Sequence, residues 1–392
     1  MATLAQTTVE QWLFRKTDAT DLVAPTDQIF MLILWVSVFS FVLLMSLMIY
    51  FVVVYRRRPG VAIERSSSHN TPLEIAWTVL PTIVLVVMFF DGFWVYIQQA
   101  IAPGDAIQMN LTAKKWAWGV EYPKGTVSTE ATNEAVMAAD SNGRSPFTYP
   151  IYYMPANTAV KLKMNSQDVM HSFYIPDFRI KFDVMPNRYT SIWFKANEPS
   201  GGKTLPVTHP SLPGVEFEDH WVFCAEYCGE QHSEMAAIIR VVPAAAYDRW
   251  AAANVMDMAG DPITIGSKLY MAKGCNACHS IDGGKNVGPS WKDLYGVERE
   301  FADGTKGLAD DNYVREAILV PAAKIVKGYP NQMPSYQGQL SDKELSSIIA
   351  YIQSLSANAP APAAAPADGQ PTDVKPADPA ATPPAPAAAP AK

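Results

Sequence analysis

Two short segments of the chain carry cysteine and histidine at spacings that suit metal chemistry. The four cysteines form two close pairs, Cys224 with Cys228 and Cys275 with Cys278, and a histidine follows each pair. A disulfide framework would spread its cysteines to close long loops. Pairs this close therefore indicate metal or haem sites.

The first segment, residues 224–235, brings thiol, imidazole and thioether groups into one short loop. Cysteines four apart can direct both sulfurs to one point, and His232 and Met235 add a nitrogen and a thioether. Soft donors of this kind select copper, and two cysteines allow two copper ions to share both sulfurs. A second histidine must come from elsewhere. His171 is the natural candidate, because it is expected to end a strand of the same domain.

A structural zinc site and a pair of ordinary buried cysteines are the alternatives for this loop. The Cys-x3-Cys-x3-His spacing suits zinc by ligand type. Zinc does not favour a methionine ligand, however, and would leave Met235 without a role. The donor set favours copper and leaves zinc open.

The second segment, Cys275-Asn-Ala-Cys278-His279, has the spacing of a covalent c-type haem site. The two thiols would add to the haem vinyl groups, and His279 would bind the iron from one side. A zinc or redox Cys-x-x-Cys pair is the alternative, but no Cys or His follows His279 in the sequence. Met333, the only later methionine, is the predicted sixth ligand, and a thioether there raises the reduction potential.

Two apolar stretches must hold these sites at a membrane. Residues 29–55 carry no charge and exceed the roughly 20 residues that span a bilayer. A signal peptide would be shorter and would not follow the polar segment 1–28. A second span covers about 75–97 within a predicted hairpin, 29–100. The basic residues 56–58 mark the cytoplasmic side, so both termini and both metal domains are expected outside.

The rest of the chain divides by pattern. Residues 101–245 alternate apolar and polar side chains in short runs separated by turn residues, which predicts a small β-sandwich or barrel. Residues 246–261 are predicted to be a linker. Residues 262–356 are helical in pattern, with a capping box at Ser341-x-x-Glu344. The Ala/Pro-rich tail, 357–392, cannot bury a core and is expected to be disordered.

The charge of the chain excludes one class of partner. The net charge is −7 and the pI is about 5.4. Nucleic-acid binding calls for a basic face, so no nucleic acid is expected.

The loop 224–235 resembles the binuclear copper (CuA) loop of cytochrome c oxidase subunit II, and the likeness extends over residues 25–245. It implies a two-helix transmembrane hairpin and an all-β, cupredoxin-like Greek-key barrel. It also implies a magnesium ion shared with subunit I, which the side chain of Glu226 would serve. The implied copper ligands are the bridging Cys224 and Cys228, His171 with Met235 on one copper, and His232 with the backbone carbonyl of Glu226 on the other.

Two further residues carry roles by the same resemblance. Lys115-Trp116-Ala-Trp118 resembles the family's aromatic segment near the copper, which makes Trp116 the residue that receives the electron. Ordinary core tryptophans are the alternative. Glu74 resembles the carboxylate at the mouth of a proton pathway into subunit I, and a solvated glutamate at a helix end is the alternative.

The chain also departs from the pattern of the family. Residues 124–147 and 198–217 look like extensions or insertions, and Ala117 stands where the family often has a third aromatic residue. A standard cytochrome-docking patch is therefore not assumed.

Residues 262–356 resemble an all-α class I cytochrome c domain. Met333-Pro334 is similar to the sixth-ligand loop of that family. By the same likeness, Gly266, Tyr270 and Pro289 would serve helix contact and support of the proximal histidine.

Taken together, the pattern resembles subunit II of a caa-type cytochrome c oxidase, in which the oxygen chemistry belongs to subunit I. The implied partners are subunits I and III, membrane lipid and an electron donor such as cytochrome c or a quinol-oxidising complex. The implied location is the bacterial cytoplasmic membrane. The alternatives are a nitric oxide reductase subunit and a free-standing membrane-anchored electron carrier. Asp91 and Glu74 argue against the carrier, since polar groups in a membrane usually have a protein partner.

Overall fold

The computed structural model describes residues 18–60, 67–134 and 144–357. Three expectations lie wholly or partly outside these ranges: the N-terminal segment before residue 18, part of the 124–147 extension, and the tail from residue 358.

Two long apolar helices begin the described chain. Helix α1 spans Val23–Val54 and helix α2 spans Thr71–Ala100. Their most apolar windows have mean hydropathies of 2.6 and 2.2, and none of the residues in those windows is buried. Their length and their uncovered apolar surface suit a bilayer. Helix α2 begins where the Asn70 side chain accepts a hydrogen bond from the Leu73 amide.

Within the described residues, the β domain contacts the hairpin at one end. Arg179 makes two hydrogen bonds to the buried carboxylate of Asp27, at 2.7 and 3.0 Å. The Trp193 indole donates to the Gln98 carbonyl at 3.1 Å. Asp27 lies near the start of α1 and Gln98 near the end of α2, so the basic connection lies at the opposite end of the hairpin. With that connection on the cytoplasmic side, the β domain lies outside.

The β domain consists of two sheets. One has the strand order β2-β1-β5-β8, and the other has the order β3-β4-β11-β10-β6-β7 with β9 paired to β10. The strands are β1 (Ile107–Lys114), β2 (Ala117–Glu121), β3 (Ala131–Glu134), β4 (Arg144–Pro155), β5 (Ala159–Ser166), β6 (His171–Ile175), β7 (Ile180–Val184), β8 (Thr190–Lys195), β9 (Lys203–Thr204), β10 (Glu216–Cys224) and β11 (Ala236–Val242).

The core lies between the sheets, as the alternation in sequence predicted. Val160, Leu162 and Met164 of β5 are buried, and Lys161 and Lys163 between them are partly exposed. Strand β11 is buried along almost its whole length, which explains its run of apolar residues, and Arg240 is the one charged residue in it.

The predicted insertion 198–217 packs as part of this domain. Leu205 and Leu212 are buried in its core. His209 lies 3.0 Å from Glu130, which joins the insertion to the segment before β3. The insertion is thus an ordered part of the domain.

One feature of the linker was missed. A helix, α3 (Ala244–Ala253), occupies much of the predicted connector 246–261. Trp250 of this helix is 1% exposed and packs on Tyr122 and Tyr153, with ring centroids 5.1 and 4.7 Å away. This burial holds a segment of small residues in a helix.

The C-terminal region is helical, with helices α4 (Pro262–Ala272), α5 (Asp311–Leu319) and α6 (Asp342–Ser354). The capping box of Ser341 and Glu344 is present at the start of α6, as predicted. Helices α4 and α6 pack closely at Gly266, where a Cβ would lie 2.1 Å from the Ser347 carbonyl oxygen. The expectation of an all-α domain was wrong in one detail. A short hairpin, β12 (Glu298–Glu300) with β13 (Lys306–Leu308), lies between α4 and α5, because residues between them form a tight turn.

Candidate copper and haem sites

The residues predicted to bind copper meet at one edge of the larger sheet. Strand β10 ends at Cys224, β11 begins directly after Met235, and β6 begins at His171. Cys224 pairs with Phe173 in the sheet, which brings His171 beside the loop. His171 therefore starts a strand, and the expectation that it ends one was wrong. The turn that contains Asp168 reverses the chain before β6.

Four donor atoms surround the two sulfurs. The Sγ atoms of Cys224 and Cys228 lie 3.8 Å apart. The other distances to these sulfurs are 3.8 Å from His171 Nδ1, 3.5 Å from His232 Nδ1, 3.8 Å from Met235 Sδ and 3.2 Å from the Glu226 carbonyl oxygen.

The two thiols shift each other's pKa in opposite directions. The hydrogen bond with Cys228 lowers the pKa of Cys224 to about 3, and the resulting thiolate raises the pKa of Cys228. Metal binding requires thiolates, so a bound cation would also have to displace the proton of Cys228.

Asp168 orients the buried imidazole of His171. Burial alone would lower the pKa of His171, but hydrogen bonds with Asp168 and Cys224 raise it. Asp168 Oδ1 lies 2.9 Å from His171 Nε2, so Nδ1 faces the sulfur. A carboxylate behind a ligating histidine fixes its tautomer and ring orientation in metal sites.

This donor set fits copper better than zinc. His171, Cys224 and Cys228 offer ligand atoms within 4.8 Å of one another, and all three residues are buried. Met235 is 1% exposed, and its sulfur lies at the same site. A zinc site would have no use for that thioether, whereas copper accepts it.

The second site is an apolar cavity in the C-terminal domain. Its lining includes Cys275, Cys278, His279 and Met333, which are the four residues predicted to hold haem. His279 donates Nδ1–H to the Pro289 carbonyl at 2.7 Å, so Nε2 is the nitrogen left for iron. Burial lowers the pKa of His279 and raises that of Cys278 to about 11.

Unsatisfied polar atoms give an independent test of the haem assignment. Nε and Nη2 of Arg299 and Oε1 of Gln332 are buried without a hydrogen-bond partner among the described residues. Gln332 lines the cavity, and Arg299 is near enough to His279 to lower its pKa. A bound group with acidic substituents, such as haem with its propionates, would supply a partner for a guanidinium. The cavity residues therefore fit haem c.

Trp116 lies between the two sites. It is 6% exposed and lines the haem cavity, although it belongs to the β domain. At Gly229 of the copper loop, a Cβ would lie 3.1 Å from Trp116 Cζ2. Trp118, by contrast, is a core residue whose Nε1–H donates to the Met235 carbonyl at 3.4 Å.

Glu74 lies apart from these residues, in the first turn of α2. Its carboxylate accepts a hydrogen bond from the Asn70 amide at 3.1 Å, which caps the helix.

The sequence analysis did not identify three residues that lie near the two sites. Asp168 stands three positions before His171, and that spacing was a usable signal. Neither Lys114, which lines the haem cavity, nor Arg299, which lies near His279, gave a signal, because only the tertiary fold brings them there.

Known families match three parts of the chain. Residues 13–95 match the family described as Cytochrome C oxidase subunit II, transmembrane domain. Residues 107–202 match Cytochrome C oxidase subunit II, periplasmic domain, and residues 263–356 match Cytochrome c.

Individual proteins are similar to parts of this chain. Cytochrome c oxidase subunit 2 of Alkalihalophilus pseudofirmus is 27% identical over 83% of this chain and 86% of its own length. Cytochrome c oxidase subunit 2 of Cereibacter sphaeroides is 29% identical over 47% of this chain and 61% of its own length. The protein in the crystal structure of the periplasmic domain of subunit II of cytochrome oxidase of Bradyrhizobium japonicum has 24% sequence identity to this chain. Its alignment covers 39% of this chain and 96% of that domain, with a TM-score of 0.29.

Fold, sites and matches together define a membrane-anchored redox protein with a copper-type loop in a periplasmic β domain and a c-type haem domain behind it. The chain belongs to the cytochrome c oxidase subunit II family, the subunit through which electrons enter a haem–copper oxidase, and it carries a fused cytochrome c domain.

Proposed function

We propose that this chain takes electrons from an external donor through haem c and binuclear CuA. It delivers them to the oxygen-reducing centre of subunit I, where their use is coupled to proton translocation. Haem c and CuA supply the one-electron chemistry, and this chain's residues hold and align them. The observation that carries the proposal is the position of Trp116, which contacts the copper loop and also lines the haem cavity.

The copper ligands follow from the family and agree with the distances. Cys224 and Cys228 would bridge the two coppers, which their separation of 3.8 Å supports. The other ligands would be His171 and Met235 on one ion, and His232 with the Glu226 carbonyl on the other. The side chain of Glu226 would serve magnesium shared with subunit I.

For the haem, Cys275 and Cys278 would form the thioether bonds, and His279 and Met333 would be the axial ligands of the iron. The hydrogen bond from His279 to the Pro289 carbonyl supports this ligand, because it fixes the ring orientation. Fusion of the haem domain replaces a diffusional encounter with an intramolecular one.

The same proposal places the complex in a bacterial cytoplasmic membrane with subunits I and III. Both metal domains would lie on the periplasmic side. Glu74 would stand at the mouth of a proton pathway into subunit I, since its position at the start of α2 puts it at the cytoplasmic end of the hairpin.

Gas consumption by the detergent-purified complex tests the proposal. Ascorbate with an artificial mediator serves as the donor, and oxygen and nitric oxide are measured separately. Rapid oxygen consumption that cyanide stops is expected. Consumption of nitric oxide alone would mean a nitric oxide reductase, and consumption of neither gas, with intact copper and haem spectra, would mean a free-standing carrier.

A further inference from the structure

Lys114 is a lysine of the β domain that is buried against the cytochrome domain. It ends strand β1 and is 8% exposed. Its Nζ donates hydrogen bonds to the Tyr336 hydroxyl and to the Lys273 carbonyl, and it lies 4.6 Å from the centre of the Tyr336 ring. Both partners belong to the cytochrome domain, so the Lys114 side chain crosses the boundary between the domains.

The boundary is closely packed around this side chain. A Cβ at Gly274 would lie 3.3 Å from Lys114 Cε and 3.4 Å from Ala117 Cβ. Gln167 donates to the Gln339 side chain at 2.6 Å across the same boundary. Water is therefore largely excluded, and a charge on Lys114 acts in a medium of low dielectric constant.

Lys114 has no direct counter-ion within the described ranges. The carboxylate of Asp168, which acts on Lys114 only through its charge, accepts hydrogen bonds from the Lys115 amide at 2.7 Å, the Val169 amide at 2.6 Å and His171. Lys114 also lines the haem cavity together with Cys275 and Cys278. Burial has the largest effect on the pKa of Lys114 and lowers it, and the nearby Cys275, Cys278 and Asp168 offset this only in part. Burying an ammonium group here without a counter-ion costs desolvation free energy.

We propose that Lys114 couples the oxidation state of the cytochrome domain to its docking on the β domain. This inference rests on the proposed function, because it assumes that haem c occupies the cavity. Loss of one electron raises the charge of the haem group by one. The Lys114 ammonium opposes that change, so docking raises the reduction potential of the haem.

Linkage makes the effect reciprocal. If docking favours the reduced haem by some factor, reduction strengthens docking by the same factor. The cytochrome domain then docks tightly while it holds an electron for the copper site. It loosens after delivery, which exposes its cavity to the next donor.

The potential of haem c in the purified full-length complex tests this inference. Lys114→Met removes the charge and keeps an unbranched chain of similar length, whereas Lys114→Arg keeps the charge. Lys181→Met removes a charge from an exposed position on β7. We expect Lys114→Met to shift the haem redox equilibrium about tenfold toward the oxidised form, which is about 59 mV for one electron. Lys114→Arg and Lys181→Met should keep the wild-type potential.

Hydrogen exchange supplies a second readout that does not depend on turnover. Amides of residues 114–118 and 273–278 should exchange more slowly in the reduced complex than in the oxidised one, and Lys114→Met should abolish the difference. Equal potentials in Lys114→Met and wild type, or equal exchange in both oxidation states, would overturn the inference. If the complex reduced no oxygen but these shifts appeared, the proposed function alone would fail.

Discussion

The contact between Asp168 and His171 gives the sharpest prediction about the copper site. In Asp168→Asn, one carboxylate oxygen becomes an NH2 group. Wild-type Oδ1 accepts from His171 and Val169, and Oδ2 accepts from the Lys115 amide. Whichever way the asparagine turns, an N–H donor faces another donor.

The cost follows from that mismatch. A buried donor left without an acceptor costs about 1–3 kcal/mol. Each 1.4 kcal/mol is about a tenfold change in affinity, which agrees with the roughly 10–100-fold loss seen when the partner of a metal-ligating histidine is changed. We therefore expect Asp168→Asn to bind copper about 10–100-fold more weakly than wild type, with all copper ligands retained.

The assay is copper titration of the copper-depleted complex against a competing chelator, followed by thiolate–copper absorption. Asp177→Asn is the matched control, because Asp177 lies 3.0 Å from the buried His220, which is not a predicted ligand. Equal copper affinities in Asp168→Asn and Asp177→Asn would refute the reasoning that Asp168 orients His171.

Three further predictions concern stability. Gly266→Ala should destabilise the cytochrome domain by about 1–3 kcal/mol, because the new Cβ would lie 2.1 Å from the Ser347 carbonyl oxygen. Thermal melting followed at the haem band measures this loss, and an unchanged melting midpoint would contradict it. Arg179→Met should cost about 3–5 kcal/mol, since it leaves the Asp27 carboxylate buried without a partner; proteolysis of the β domain should become faster. Burial would raise the pKa of Glu344, but the capping-box hydrogen bonds and a nearby lysine lower it below 4.5. The contribution of Glu344 to the free energy of unfolding is therefore present above its unfolded pKa and lost as the pH falls through its folded pKa. Glu344→Gln should weaken the dependence of unfolding on acid pH, and an unchanged dependence would contradict this.

Local spacing predicted much of the fold and which residues lie together at both candidate sites. The Cys224–Met235 loop and the Cys275–His279 motif are short segments in which neighbouring residues meet by chain geometry alone. The alternation in β5 and the capping box of α6 are likewise local, and the structure confirms both.

The features that sequence did not predict depend on tertiary packing. Helix α3 forms because Trp250 enters the core between Tyr122 and Tyr153, although its small residues look like a linker. Lys114 looks like an ordinary polar residue at the end of a strand, and only docking of the cytochrome domain buries it. No pattern in the sequence contains that contact.

The most direct test of the central claim is time-resolved absorption of the purified complex after a brief pulse of a photoreductant. Haem c and CuA are followed at their own bands. We expect haem c to be reduced first, and the copper site then to gain its electron with the time constant of haem reoxidation. Reduction of the copper site before haem c, or at a rate unchanged when Cys275 and Cys278 are replaced by serine, would contradict it.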